Sequence, residues 1–199
     1  VPYVLPTPPA PIGTADEKLM AFQYRACLTT DSNNSAPIGP PPGYDPESFV
    51  LLQRTIDAMM ASRTNSSGQR PPGEAAPLLG DFFTENGHYS AEVAAAGRNK
   101  LVVCCGRGPV DSDQPNINAG WVTAGHQERQ RIADRHRYYL QGSLFYLGHD
   151  ARVPSATRAD ARRYGLCRDE FRNHQPQHWP PQLYVRSSVR MVGDRVLTQ

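Results

Sequence analysis

The sequence predicts an α+β segment that is rich in helix and carries short strands. Apolar residues repeat at helical spacing between 49 and 60 and again between 132 and 147. A short unbroken apolar run, LVVCC at 101–105, reads as a buried strand. Proline is frequent, 19 of 199 residues against a usual ~5%, so long irregular connections are expected.

Hydrophobic residues make up 39% of the chain, in the range of a folded domain rather than a disordered one. The formal net charge of +2 is too small a bias to imply nucleic acid. There is no run of ~18 apolar residues, so no membrane-crossing helix is predicted. The opening VPYVLPTPPAPIG has neither the basic start nor the unbroken apolar stretch of a signal peptide. It also lacks an initiating Met, which gives the expectation of a fragment or processed product.

The Pro-rich start reads as extended. The segment EKLMAFQYRACLTT at 17–30 fits a strand pair or a helix, and periodicity does not choose between them. SAPIGPPPGYDP is a loop by composition. A helix follows. Asp45 can cap it, Pro46 suits its first position and Glu47 complements its dipole. Phe49, Leu52, Ile56, Met59 and Met60 form its apolar stripe. SRTNSSGQRPPG ends that helix, and residues 75–100 are weakly patterned around LLGDFF. After LVVCC and a polar loop comes the longest helix, at about Gln127 to Leu147. Its stripe contains Ile132, Ala133, His136, Tyr139, Leu140, Leu144 and Leu147. A shorter helix begins at Pro154-Ser155 and stops at Gly165. The end of the chain is extended. The organisation is therefore 1–61, with one amphipathic helix, an insertion-like 62–100, and 101–199 with two helices.

The spacing of Cys27, Cys104, Cys105 and Cys167 matches no zinc pattern. They are expected to be buried thiols, since free Cys packs as a small hydrophobe. Sequons occur at Asn33 and Asn65 and matter only in a secreted chain. No Ser-His-Asp order, H-E-x-x-H or phosphate loop is present. Asp169 and Glu170 are adjacent, so on a regular element they point apart and make no acid/base pair.

A series of short motifs runs through the chain. FQYRACLT spans 22–29 and GYDPESFVLL spans 43–52. N-x-N-x-G follows at 116–120, H-R-x-Y-x-Q-G at 136–142 and D-x-R-V-P at 150–154. Y-G-L-x-x-D-E-F spans 164–171, W-P-x-Q-L-Y-V-R spans 179–186 and R-M-V-G spans 190–193. In this order and spacing the set resembles the middle and late parts of the FAD-dependent oxidoreductase family, with a gap around 62–100. The resemblance implies part of a larger flavoprotein of the two-dinucleotide-binding type, with FAD as the cofactor of the parent protein. Family members open with a strand, a G-x-G-x-x-G turn and a helix, where backbone N–H groups meet the pyrophosphate. A second glycine-rich stretch completes the flavin pocket. Neither occurs in this sequence. GRG at 106–108 continues into Pro109 and an acidic loop. The chain alone is therefore expected not to bind FAD.

Within that resemblance, His136 and Arg186 are the catalytic candidates. Asn116, Asn118, Trp179, Gln182, Tyr184 and Arg190 are candidates for the substrate side. His136 sits on an apolar stripe, so it is either a buried histidine with one partner or a proton relay near neutral pH. Arg186 and Arg190 can hold a carboxylate or phosphate bidentately, or satisfy loop carbonyls. Trp179, Gln182 and Tyr184 can line a pocket beside an isoalloxazine, or pack. The asparagines can face substrate or cap a turn. Tyr24 and Arg25 are weaker candidates. Two departures fall in this region. Asn116, Asn118 and Ala119 stand where the family has an acidic residue and adjacent asparagines. Arg186-Ser187-Ser188-Val189-Arg190 stands for R-E-x-R-R. The resulting expectation is the substrate-side segment of an FAD-dependent oxidoreductase. Its partners would be a small-molecule substrate and the rest of the parent flavoprotein, with no nucleic acid and no membrane. The alternatives are a non-catalytic remnant or interaction module on the same scaffold, and a distinct small enzyme.

Overall fold

The structure is a computed structural model, and it describes residues 11, 14, 19–62, 76–83, 99–103, 110, 112–114, 117–188 and 194. In chain order the strands are β1 (Cys27–Thr29), β2 (Ser35–Ala36), β3 (Lys100–Val102) and β4 (Gly165–Cys167). The helices are α1 (Val50–Ser62), α2 (Leu79–Phe83), α3 (His126–His149) and α4 (Ser155–Ala161), with a 3-10 turn at Pro46–Phe49 leading into α1. The four strands make one antiparallel sheet in the order β2-β4-β1-β3. The α+β, helix-rich architecture read from the sequence is the one observed.

The 3-10 turn begins as its sequence dictates. The Asp45 carboxylate accepts from the Glu47 N–H, and Pro46 opens the turn. The chain then lays Phe49 onto α3. Phe49 stacks with Tyr44 and Tyr138 at ring-centroid distances of 5.6 and 6.1 Å and meets Tyr146 at a tilt, 5.8 Å away. Tyr138 Oη accepts from the Asp45 N–H at 3.0 Å, and Gln141 Nε2 donates to the Gly39 carbonyl at 2.9 Å. The motif on α3 and the G-Y-D-P-E-S-F motif are thus two sides of one contact. Ile132, Leu140, Leu144 and Leu147 of α3 are all buried, each worth ~1.5–3 kcal/mol of apolar burial.

Gly142 is where the Phe49 ring enters. A Cβ built there would lie 2.2 Å from Phe49 Cζ. Alanine ordinarily gains ~1 kcal/mol over glycine inside a helix. Here that gain meets an overpacking cost of ~1–3 kcal/mol. Gly142→Ala is therefore expected to lower unfolding free energy by about 1 kcal/mol in urea. A stability gain would mean that the ring moves aside freely.

The structure decides one open reading and corrects others. The segment before β1 is no helix: Phe22 and Gln23 pair in isolated bridges with Gln114 and Tyr184. The short helix ends at Ala161, before a turn, and Gly165 opens β4 instead of stopping a helix. A Cβ on Gly165 would lie 2.1 Å from Ser35 Oγ and 2.5 Å from the Ala36 carbonyl oxygen. Glycine is used there for close strand approach. Asp169 and Glu170 do not diverge, because they lie in a turn; both reach Lys100 Nζ, at 2.8 and 2.7 Å.

The cysteine expectation is overturned for one pair. Cys27 and Cys167 are buried but joined in a disulfide, with a Cα–Cα distance of 5.5 Å. They stand opposite one another where β1 pairs with β4, continuing the register Thr29↔Gly165, Leu28↔Leu166. Their separation of 140 residues leaves no local spacing signal. Cys104, Cys105 and the sequon at Asn65 lie outside the described residues. Asn33 is exposed in the turn before β2.

Candidate functional site

The segment 22–25 runs between two others and carries the site. The Gln23 N–H donates to the Tyr184 carbonyl, and the Tyr184 N–H donates back to the Gln23 carbonyl at 2.8 Å. Phe22 pairs with Gln114 on the other side. The Gln23 side chain is buried, and its Oε1 accepts from Ser112 Oγ at 2.7 Å. Arg25, Asp113, Tyr184 and Arg186 are thereby brought together although they are up to 161 positions apart in the sequence.

These four residues form a charged and aromatic cluster at the surface. The Arg25 guanidinium lies 4.1 Å from the Tyr184 ring centroid, a cation–π contact. Arg186 Nη1 lies 3.4 Å from Asp113 Oδ2. Burial pushes the Asp113 carboxyl up, while Arg186 and then Arg25 pull it down. Tyr184 and Val185 are among the exposed large hydrophobic residues, and Gln182 is exposed beside them.

Phe22 and Tyr24 lead to the core beneath the cluster. Phe22 packs on Trp121 at 5.5 Å and stacks on His136 at 6.0 Å. His136 is buried, as its place on the stripe predicts. Its Nδ1 lies 2.8 Å from the Ile132 carbonyl, so Nδ1 carries the proton and donates. Its Nε2 is buried with no partner among the described residues. Burial pushes its pKa down to about 4, opposed by the Ile132 contact and aided by Arg135. The ring is neutral at pH 7 and stacks on Phe22. Tyr24 meets Trp179 edge to face at 5.6 Å, and its hydroxyl pKa is pushed up to about 12, first by burial. Trp179 is buried, and its Nε1 has no partner among the described residues.

The sequence-derived candidates therefore divide. Arg186, Tyr184 and Gln182 share the exposed surface. His136 and Trp179 lie in the core behind it. Asn118 is buried and donates through Nδ2 to the Met20 carbonyl at 2.8 Å, pinning the entry to segment 22–25. Asn116 and Arg190 lie outside the described residues. Sequence reading passed over Asp113 and gave Arg25 little weight. Asp113 sits in a polar loop and meets Arg186 across 73 positions, so no local pattern marks it.

Among the described residues, the start of the longest helix is a poor seat for a flavin pyrophosphate. α3 begins after Gly125 with Glu128 in its first turn, and that carboxylate pairs with Arg131 and Arg135. The Glu128 carboxylate already occupies the turn where the helix dipole favours an anion. No helix among the described residues is long and apolar enough to cross a membrane. No group of three or more metal-ligating side chains occurs among them.

Comparison with curated proteins and with solved structures returns no match. The family model for FAD dependent oxidoreductases, by contrast, matches residues 3–199. That span takes in segment 22–25, the core of α3 and the cluster around Arg186 alike, and the chain belongs to the FAD-dependent oxidoreductase family.

Proposed function

We propose that this chain forms the substrate-facing side, a substrate domain, of an FAD-dependent oxidoreductase. The observation that carries the reading is the exposed cluster of Arg25, Asp113, Tyr184 and Arg186 on segments that resemble the family. Bound FAD supplies the electron sink in such an enzyme. The residues of this chain supply charge and shape. Arg186 and Arg25 orient a polar substrate, Tyr184 and Gln182 border it, and the Phe22–His136–Trp121 packing holds segment 22–25 in place. The flavin's pyrophosphate is held by other parts of the full-length protein, because the first turn of α3 is already taken by the Glu128 carboxylate and no G-x-G-x-x-G turn occurs in this sequence.

Arg186→Gln in the full-length, FAD-loaded protein tests the reading. Flavin content per chain should be unchanged. Anaerobic flavin bleaching by any compound that reduces the wild type should slow by about 10–100-fold, the scale of one hydrogen bond to a charged group. Equal bleaching rates in the two proteins would remove Arg186 from the substrate side. A wild type that no organic reductant bleaches would favour a non-catalytic scaffold.

A further inference from the structure

The arginines of the cluster are strongly under-used. Among the described residues, Arg186 makes one hydrogen bond, to Asp113 at 3.4 Å. That is long for a charge-assisted pair, which usually closes to ~2.7–2.9 Å. Arg25 makes none, and its guanidinium rests on the Tyr184 ring. A guanidinium has five N–H donors in a planar fork, so most donors of both groups remain for a ligand.

The charge count points to the kind of ligand. Among the described residues, two guanidinium groups stand near the Asp113 carboxylate, an excess of one positive charge. A monoanion neutralises the cluster, whereas a phosphate dianion would overshoot it. Stacking on Tyr184 holds the Arg25 fork in a plane, which suits the two oxygens of a carboxylate. Tyr184 and Val185 add apolar surface next to it, where the carbon skeleton of a small acid can rest.

We infer that Arg25 and Arg186 together form a receptor for one carboxylate group, with Asp113 holding Arg186, the Tyr184 ring holding Arg25, and the Tyr184 face as the apolar border. The bound compound is a small organic monocarboxylate. The binding site itself follows from the cluster; only its identification with the enzyme's substrate rests on the substrate-side reading above. Arg25 is then a specificity-determining residue.

Calorimetric titration of the full-length, FAD-loaded protein with benzoate, and with benzamide as the uncharged control, tests this. Benzoate should bind saturably and benzamide at least tenfold more weakly. Arg186→Gln and Arg25→Gln should each weaken benzoate by about 10–100-fold. Arg186→Lys should recover part of the loss, because it restores charge without the fork. Thermal midpoints should stay within a few degrees, separating ligand loss from unfolding. The flavin absorption band, followed in the same titration, divides the two claims. A benzoate-induced band shift lost in both Gln variants supports the receptor and its place beside the flavin. Arginine-dependent binding with no band shift supports the receptor and contradicts the substrate-side reading. Equal affinity for benzoate and benzamide, or benzoate binding unchanged in both Gln variants, overturns the carboxylate receptor.

Discussion

Unfolding free energy should fall by about 3 kcal/mol between pH 7 and pH 4 because of His136 alone. Its pKa is pushed down to about 4 in the folded chain, against ~6.5 in an unfolded one. Between those values the unfolded state binds the proton and the folded state refuses it, so acid favours unfolding. The contribution is complete above ~6.5 and is lost as pH falls toward 4. Carboxylates act in a different window. Asp150 and Asp169 are held below the usual carboxylate range, the first chiefly by Arg152 and the second by Lys100, so their contribution fades below about pH 4. Urea unfolding at pH 7, 5.5 and 4.5 measures the slope. His136→Phe keeps a flat ring against Phe22 and should flatten that slope. A variant that retains the full slope would place the titrating group elsewhere.

Loss of the Cys27–Cys167 disulfide should be comparably severe. It closes a loop across 140 residues, and breaking such a link in a native protein costs ~2–5 kcal/mol. For a domain of this size the thermal midpoint should drop by about 4–20 °C. The damage should be local first. Among the described residues β2 joins the sheet through β4, and β4 reaches β1 beside the disulfide. Cys27→Ala/Cys167→Ala, compared with the wild type in reducing and oxidising buffer, makes the measurement. A wild-type midpoint unmoved by reductant, with the bond shown to be broken, would contradict it.

The two outcomes illustrate what the sequence could and could not say. The apolar stripe of α3 and the Asp45-Pro46 start are local patterns, and both elements are found close to the expected positions. β2 and β4 are two and three residues long. At that length no alternation can register, and only pairing across the chain makes them strands. Gly165 looked like a helix stop because glycine serves both as a terminator and as a close-approach residue. What distinguishes the two is Ser35, 130 positions away in the sequence. The site behaves in the same way. Tyr184 and Arg186 came from a contiguous motif, whereas Arg25 and Asp113 join them through the pairing of segment 22–25. His136 was placed in the interior by its stripe, and it is found buried there.

The division of labour between substrate side and cofactor side is the centre of this account, and titration of this chain with FAD tests it most directly. A few polar contacts to one edge of the isoalloxazine, each worth ~0.5–1.5 kcal/mol, would hardly offset the ~4 kcal/mol or more that association costs. With circular dichroism showing the chain folded, the purified protein should be colourless, and flavin fluorescence should not change as the chain is added. A yellow protein carrying one FAD per chain would contradict the account and place a pyrophosphate site within these 199 residues.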